Sequence, residues 1–129
     1  MGDRLLETFD PADDATPRAA RTAAADFARR WISDEGRLTV IALCVSEAVT
    51  NVVMHAYRGG RGGPAILEAW HDGTGLTIAV RDHGLGLAPR LDSPGLGMGL
   101  ALIAQSADES DVRSRPQGGT EVRMTFSAP

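Results

Sequence analysis

Residues 46–57 read Ser46-Glu47-Ala48-Val49-Thr50-Asn51-Val52-Val53-Met54-His55-Ala56-Tyr57. Glu47, Asn51 and His55 recur every four residues. On a helix such a step turns by only ~40° and rises ~6 Å, so the three form one stripe. From Leu38 to Tyr57 the only formal charge is Glu47. Val40, Leu43, Cys44 and Met54 fall on roughly the stripe's side. Leu38, Ile41, Ala42, Val45, Val49, Val52 and Val53 cover the opposite side. A helix apolar nearly all round is expected to be buried. Buried polar groups need partners, and no Lys or Arg on this helix offers one to Glu47 or Asn51. The stripe therefore predicts a pocket whose missing partner is a ligand.

The rest of the chain sets the frame. At 129 residues it fits one domain spanning 1–129, with a usable core. A net charge of −4 and scattered arginines argue against a nucleic-acid binder, which usually shows a basic patch. The lone Cys44 reads as a buried reduced thiol. The N-terminus lacks the apolar core of a signal peptide. Residues 38–57 have the length of a membrane span, but Glu47, Asn51 and His55 inside the run are costly in lipid. No membrane association and a cytoplasmic location are expected.

Leu5 to Phe9 reads as a short edge strand. Thr16-Pro17 reads as a helix start, with Thr16 as N-cap, and Ala20, Ala24, Phe27 and Trp31 continue at helical spacing. Arg18, Arg21, Arg29 and Arg30 occupy its solvated faces. A second helix runs from about Leu38 to Tyr57, with Gly59-Gly60 as C-cap. Ala65–His71 and Leu76–Arg81 read as strands joined by the hairpin signal Asp72-Gly73-Thr74-Gly75. The glycine-rich segment 82–99 is irregular. Met98 to Ala107 reads as a short helix, and Asp111–Ser114 and Thr120–Phe126 as final strands. This order predicts an α/β two-layer sandwich, with helices on one face of a mixed, mostly antiparallel sheet.

Two glycine segments carry chemistry. Asp82-His83-Gly84-Leu85-Gly86 follows a strand, so Asp82 can point its oxygens into a pocket while Gly84 and Gly86 allow close backbone approach. Gly95-Leu96-Gly97-Met98-Gly99-Leu100 opens a helix whose N–H groups favour anions. It fits neither the dinucleotide fingerprint nor the P-loop. Gly119-Thr120 puts a hydroxyl at the start of the last strand. His55, His71, His83 and Cys44 lack zinc-ligand spacing, and no Gly-x-Ser-x-Gly elbow is present.

Together these segments resemble the ATPase/kinase superfamily that includes DNA gyrase and the histidine kinases, and most closely its anti-sigma factor serine kinases. The stretch 46–57 is similar to that group's N-box. Asp82-x-Gly84-x-Gly86 and Gly95–Leu100 are similar to its two glycine boxes, and Gly119-Thr120 to its C-terminal threonine motif.

The resemblance implies a histidine-kinase-like ATPase fold and the cofactors ATP and Mg²⁺. It implies Asn51 as the metal-coordinating residue and Asp82 as acceptor for the adenine amine. Gly84, Gly86, Gly95, Gly97, Met98, Gly99 and Leu100 would border the nucleotide, with Thr120 supporting the base and His55 nearby. Glu47 would be the general base toward a serine of an anti-anti-sigma protein. It also implies a sigma factor as partner and a homodimer, for which the edge strand at Leu5, Leu6 and Phe9 is a candidate contact.

One departure stands out. The family's arginine before the second glycine box is missing from Asp92–Gly99, leaving Arg81 or Arg90 to substitute. That keeps open a nucleotide-sensing binding protein with little kinase activity. The catalytic domain of a histidine kinase is a third reading. Against it stands the lack of a helical dimerisation segment carrying a phospho-accepting histidine.

Overall fold

The structure is a computed structural model in which residues 3–57, 62–84 and 96–129 are described. The order is β1 (Arg4–Phe9), α1 (Thr16–Ala28), α2 (Glu35–Asn51), a π-helical turn (Val52–Ala56), β2 (Ala65–His71), β3 (Gly75–Asp82), α3 (Leu96–Ser106), β4 (Glu109–Ser114) and β5 (Thr120–Ser127). The strands form a five-stranded sheet in the order β1-β2-β3-β5-β4, and every pairing in it is antiparallel. The expected two-layer architecture holds, and β1 is an edge strand as read.

Period-two alternation sorts the sheet. On β3, Leu76, Ile78, Val80 and Asp82 point to one face, and the register places Val80 opposite Leu67 and Val122. That face meets Leu38, Ile41, Val45, Val49 and Val52 of α2 and the π-turn in a single core. Each such side chain stabilises the fold by roughly 1.5–3 kcal/mol on burial. Cys44 lies in the same core, free and fully buried. Burial pushes its thiol pKa up, against a smaller opposing hydrogen bond with Ser106.

The opposite face of the sheet carries a ladder of charge. Arg4 and Arg81 both reach Glu68, and Arg81 and Arg123 both reach Glu121, crossing β1, β2, β3 and β5. Arg81 lies 2.6 Å from Glu68 and 2.7 Å from Glu121. The Arg123 guanidinium covers Trp70, 5.1 Å being the matching distance for Arg30 over Phe27 on α1 and 5.3 Å that for Arg123.

Several expectations change. Thr16 does not cap α1: Ala15 is the N-cap residue, Thr16 is the first helical residue, and its hydroxyl donates to the Asp10 carbonyl. Helix α2 begins earlier than Leu38, because Asp34 accepts from the Gly36 N–H at 2.9 Å and caps it. Its last turn is π-helical, not α. Nor is this helix buried all round. Val40, Leu43, Val53 and Met54 are exposed, Met54 to 60%, so apolar composition alone overstates its burial. The segment Glu35–Ala56 has the length and hydropathy of a membrane span, yet half of its most apolar window is buried in the domain. The proposed cap at Gly59-Gly60 lies outside the described residues.

Candidate functional site

The site is assembled where glycines let backbones meet. Gly99, in the first turns of α3, faces α2. A Cβ placed there would lie 2.9 Å from Glu47 Oε2 and 3.7 Å from Asn51 Nδ2. Glu47 is half-buried and Asn51 is 6% exposed. The second glycine segment and the helical stripe therefore share one site. His55 sits in the π-turn and is also buried. The wider i→i+5 turn shifts it from the place that an unbroken α-helix would give it.

The first glycine segment docks on the end of the same helix. A Cβ on Gly84 would fall 1.9 Å from the carbonyl oxygen of Ala56, a contact only glycine permits. This brings the turn after β3 against the π-turn. Asp82, the last residue of β3, is 1% exposed. Its Oδ1 accepts from the N–H of Gly84 at 2.9 Å and of Thr120 at 3.2 Å. The β3–β5 register ends at Arg81 opposite Glu121, so one step on, the Asp82 carboxylate replaces the ladder as acceptor for β5.

Gly119 makes the third close approach. Its φ is +90°, and a Cβ there would sit 1.9 Å from the Asp82 carbonyl oxygen. Thr120 follows, 2% exposed. Two polar groups stand out: the Asn51 amide nitrogen and the Thr120 hydroxyl are buried and meet no hydrogen-bond partner among the described residues. Such groups are rare in folded proteins, where buried polar atoms are almost always hydrogen-bonded.

Glu47, Asn51, Gly99 and His55 thus gather around the end of α2, and Asp82, Gly84 and Thr120 around the end of β3, joined through Ala56 and Gly84. Gly86 and Gly95 lie outside the described residues. Gly97 and Met98 fall in the first turn of α3, and Leu100 is half-buried just beyond. Arg81 does not take part. It points away from the Asp82 face and is committed to Glu68 and Glu121, which removes it as a substitute for the missing arginine. Arg90 lies outside the described residues.

Two participants escaped the sequence reading. The Tyr57 hydroxyl donates to the Pro64 carbonyl at 2.6 Å and accepts from the His83 N–H at 2.9 Å, strapping the Asp82 turn to the π-turn. Arg115 Nη1 donates to the Asp82 carbonyl at 2.9 Å. A tyrosine closing a polar stripe was a visible signal for the first; nothing local marked the second.

Residues 11–126 match the family described as the histidine kinase-like ATPase domain. The chain is 35% identical over 117 residues to the anti-sigma F factor of Thermoanaerobacter sp. (strain X514), covering 82% of this chain and 81% of that one. The chain belongs to the histidine kinase-like ATPase family, as a homologue of the anti-sigma F factors. The factor of Oceanobacillus iheyensis is 32% identical over 119 residues, and that of Bacillus subtilis 29% over 119. Each alignment covers 82% of this chain and 80% of the relative. Among solved structures, the RsbU and RsbW domains of a Mycobacterium tuberculosis protein align with a TM-score of 0.68 at 25% identity. That alignment covers 98% of this chain and 33% of the other, so this chain spans about a third of that longer one.

Proposed function

We propose that this histidine kinase-like ATPase is an ATP- and Mg²⁺-dependent serine kinase of the anti-sigma type. It forms one domain, works in the cytoplasm as a homodimer, binds a sigma factor and phosphorylates an anti-anti-sigma protein on serine. The observation that carries this reading is the approach of Gly99 to the Glu47–Asn51 pair, beside a buried Asn51 amide with an unmet hydrogen bond.

The residues fit the cofactors. No three His, Cys, Asp or Glu side chains cluster as a metal site among the described residues. A Mg²⁺ ion suits this setting, because it keeps waters and takes phosphate oxygens beside one or two protein ligands. Asn51 would be that ligand through its amide oxygen, and its Nδ2 would donate to a phosphate oxygen. Bound ATP supplies the phosphoryl group and a metal-neutralised polyphosphate. The N-terminus of α3 offers N–H groups to negative charge. Asp82 keeps Oδ1 on two backbone donors and would accept the adenine amine with its remaining capacity. Guanine presents a carbonyl there, and a carboxylate disfavours it. Thr120 would donate or accept beside the base. Gly84, Gly97, Met98, Gly99 and Leu100 would border the nucleotide, as would Gly86 and Gly95. His55 would support the Asn51 end.

Glu47 would take the proton of the attacking serine hydroxyl. Its half-exposed position next to Gly99 suits a group that must be reached by another protein. General-base assistance of this kind typically contributes about 10²–10⁴-fold. The test is transfer of labelled phosphate from ATP to a candidate anti-anti-sigma domain. Transfer by wild type that is lost in Glu47→Ala supports the assignment; equal transfer by both rejects it.

A second reading, a nucleotide-sensing binding protein with little turnover, draws on the commitment of Arg81 to the far face of the sheet. Cationic groups at the transferring phosphate are worth large factors in rate. ATP binding and ATP-dependent partner capture without phosphate transfer would favour it.

A further inference from the structure

We propose that Arg115 is a positioning residue for the nucleotide base: its guanidinium sets the orientation of Asp82 and thereby both affinity and the preference for adenine over guanine. This rests on the nucleotide-binding reading above. Arg115 belongs to none of the segments that carry the family resemblance. It opens the turn between β4 and β5, where its N–H donates to the Gly119 carbonyl and its carbonyl accepts from the Gly118 N–H, both at 3.0 Å. From there Nη1 donates to the Asp82 carbonyl at 2.9 Å and lies 3.1 Å from His83 Nδ1. One nitrogen with two hydrogens thus ties the main chain of Asp82 to the ring of its neighbour.

The consequence is geometric. The Asp82 carboxylate is fixed at Oδ1 by Gly84 and Thr120, and its backbone is fixed on the other side by Arg115 and by the contact with Gly119. A side chain held at both ends cannot turn to suit a different base. Without the guanidinium, the Asp82 carbonyl loses its charged donor, and the 82–84 turn keeps the Tyr57 hydroxyl on the His83 N–H, the two backbone donors on Oδ1 and the Gly119 contact but loses the tie to the Arg115 side chain. Hydrogen bonds from charged groups are the stronger kind, so their loss is felt in the position of what they hold.

The experiment measures binding of a fluorescent ATP analogue and its displacement by unlabelled ATP and GTP. It uses the full chain as wild type, Arg115→Ala, Arg115→Lys and Arg113→Ala, with urea unfolding of each. Arg113 is the control, an exposed arginine paired with Asp111 on the same strand. Arg115→Ala is expected to weaken ATP binding about tenfold, the effect of one such hydrogen bond, and to narrow the ATP-to-GTP ratio. Arg115→Lys, which keeps a charged donor, should restore most of both, and Arg113→Ala should match wild type. Unchanged ATP binding in Arg115→Ala, or ATP and GTP weakened equally so that the ratio stays at the wild-type value, would overturn the proposal. Failure of the wild type to bind ATP would instead overturn the nucleotide-binding reading, and this one with it.

Discussion

Gly99 lies so close to Glu47 that a single added carbon would stand 2.9 Å from the carboxylate oxygen Oε2. The neighbour it would strike is the far end of a flexible side chain, which can swing aside. Gly99→Ala is therefore expected to fold normally. Alanine is favoured over glycine in a helix by roughly 1 kcal/mol, so urea unfolding should show equal or slightly higher stability. Glu47 would be displaced from its place, and phosphate transfer should fall at least about tenfold. A transfer rate equal to wild type would separate Glu47 from the chemistry.

Asn51 and Glu47 should part under substitution. Asn51→Ala removes the chain's single asparagine and is expected to abolish Mg²⁺-dependent ATP binding in calorimetry. Glu47→Gln keeps shape and hydrogen bonding but not the base. It should bind ATP within a few-fold of wild type while losing about 10²-fold or more in transfer. Equal loss of binding in both variants would contradict the division of roles.

The charge ladder on the far face predicts a stability effect with no functional counterpart. In Glu68 and Glu121, burial works against the charged form. Hydrogen bonds and charge outweigh it, from Arg81 and Arg4 for Glu68 and from Arg81 and Arg123 for Glu121, and hold both carboxyls below their ordinary range. A group with a lowered folded pKa contributes stability above its unfolded value, about 4.3 for glutamate, and loses it as pH falls through the folded one. The wild type should therefore lose stability on acidification below about pH 4. Arg81→Met should cost about 2 kcal/mol at neutral pH and flatten this acid limb in urea titrations at several pH values. Its ATP affinity should match wild type, because Arg81 faces away from Asp82.

Gly119 is constrained twice, by φ of +90° and by the Asp82 carbonyl 1.9 Å from where a Cβ would be. Here the obstacle is backbone and cannot swing aside. Gly119→Ala is expected to cost about 2 kcal/mol or more and to weaken ATP binding beyond the detection limit of calorimetry. A stable variant with full affinity would mean that the turn before β5 can move away from Asp82.

Much of this was legible in the chain, and the parts that were not have physical reasons. Alternation and turn residues located every strand within two residues, and helical spacing located the helices, because these signals are local. The start of α2 was placed late because Glu35-Gly36-Arg37 is polar; the Asp34 cap, not hydropathy, begins that helix. Four-residue spacing cannot distinguish an α-turn from the π-turn that carries His55. Apolar composition suggested that α2 is buried on all sides, but Leu43 is 46% exposed, since only packing decides which apolar face finds a neighbour. The sequence alone admits Arg81 as a phosphate contact, yet adjacent strand residues face opposite ways, and its pairing with Glu68 and Glu121 follows from that rule. The glycine segments were legible as a set, but which backbone each one touches depends on contacts distant in sequence. Arg115 reaches Asp82 from 33 residues away, beyond any local pattern.

The three glycine approaches at positions 84, 99 and 119 have a consequence for how this protein tolerates mutation. In a hydrophobic core, damage scales with volume, and a smaller or similar residue is often accepted. At a contact made by the absence of a side chain, every replacement is an enlargement. Saturation mutagenesis should then give two different signatures. Core positions such as Val80 would show graded losses ordered by size and shape, whereas Gly84 and Gly119 would show a step already complete at alanine.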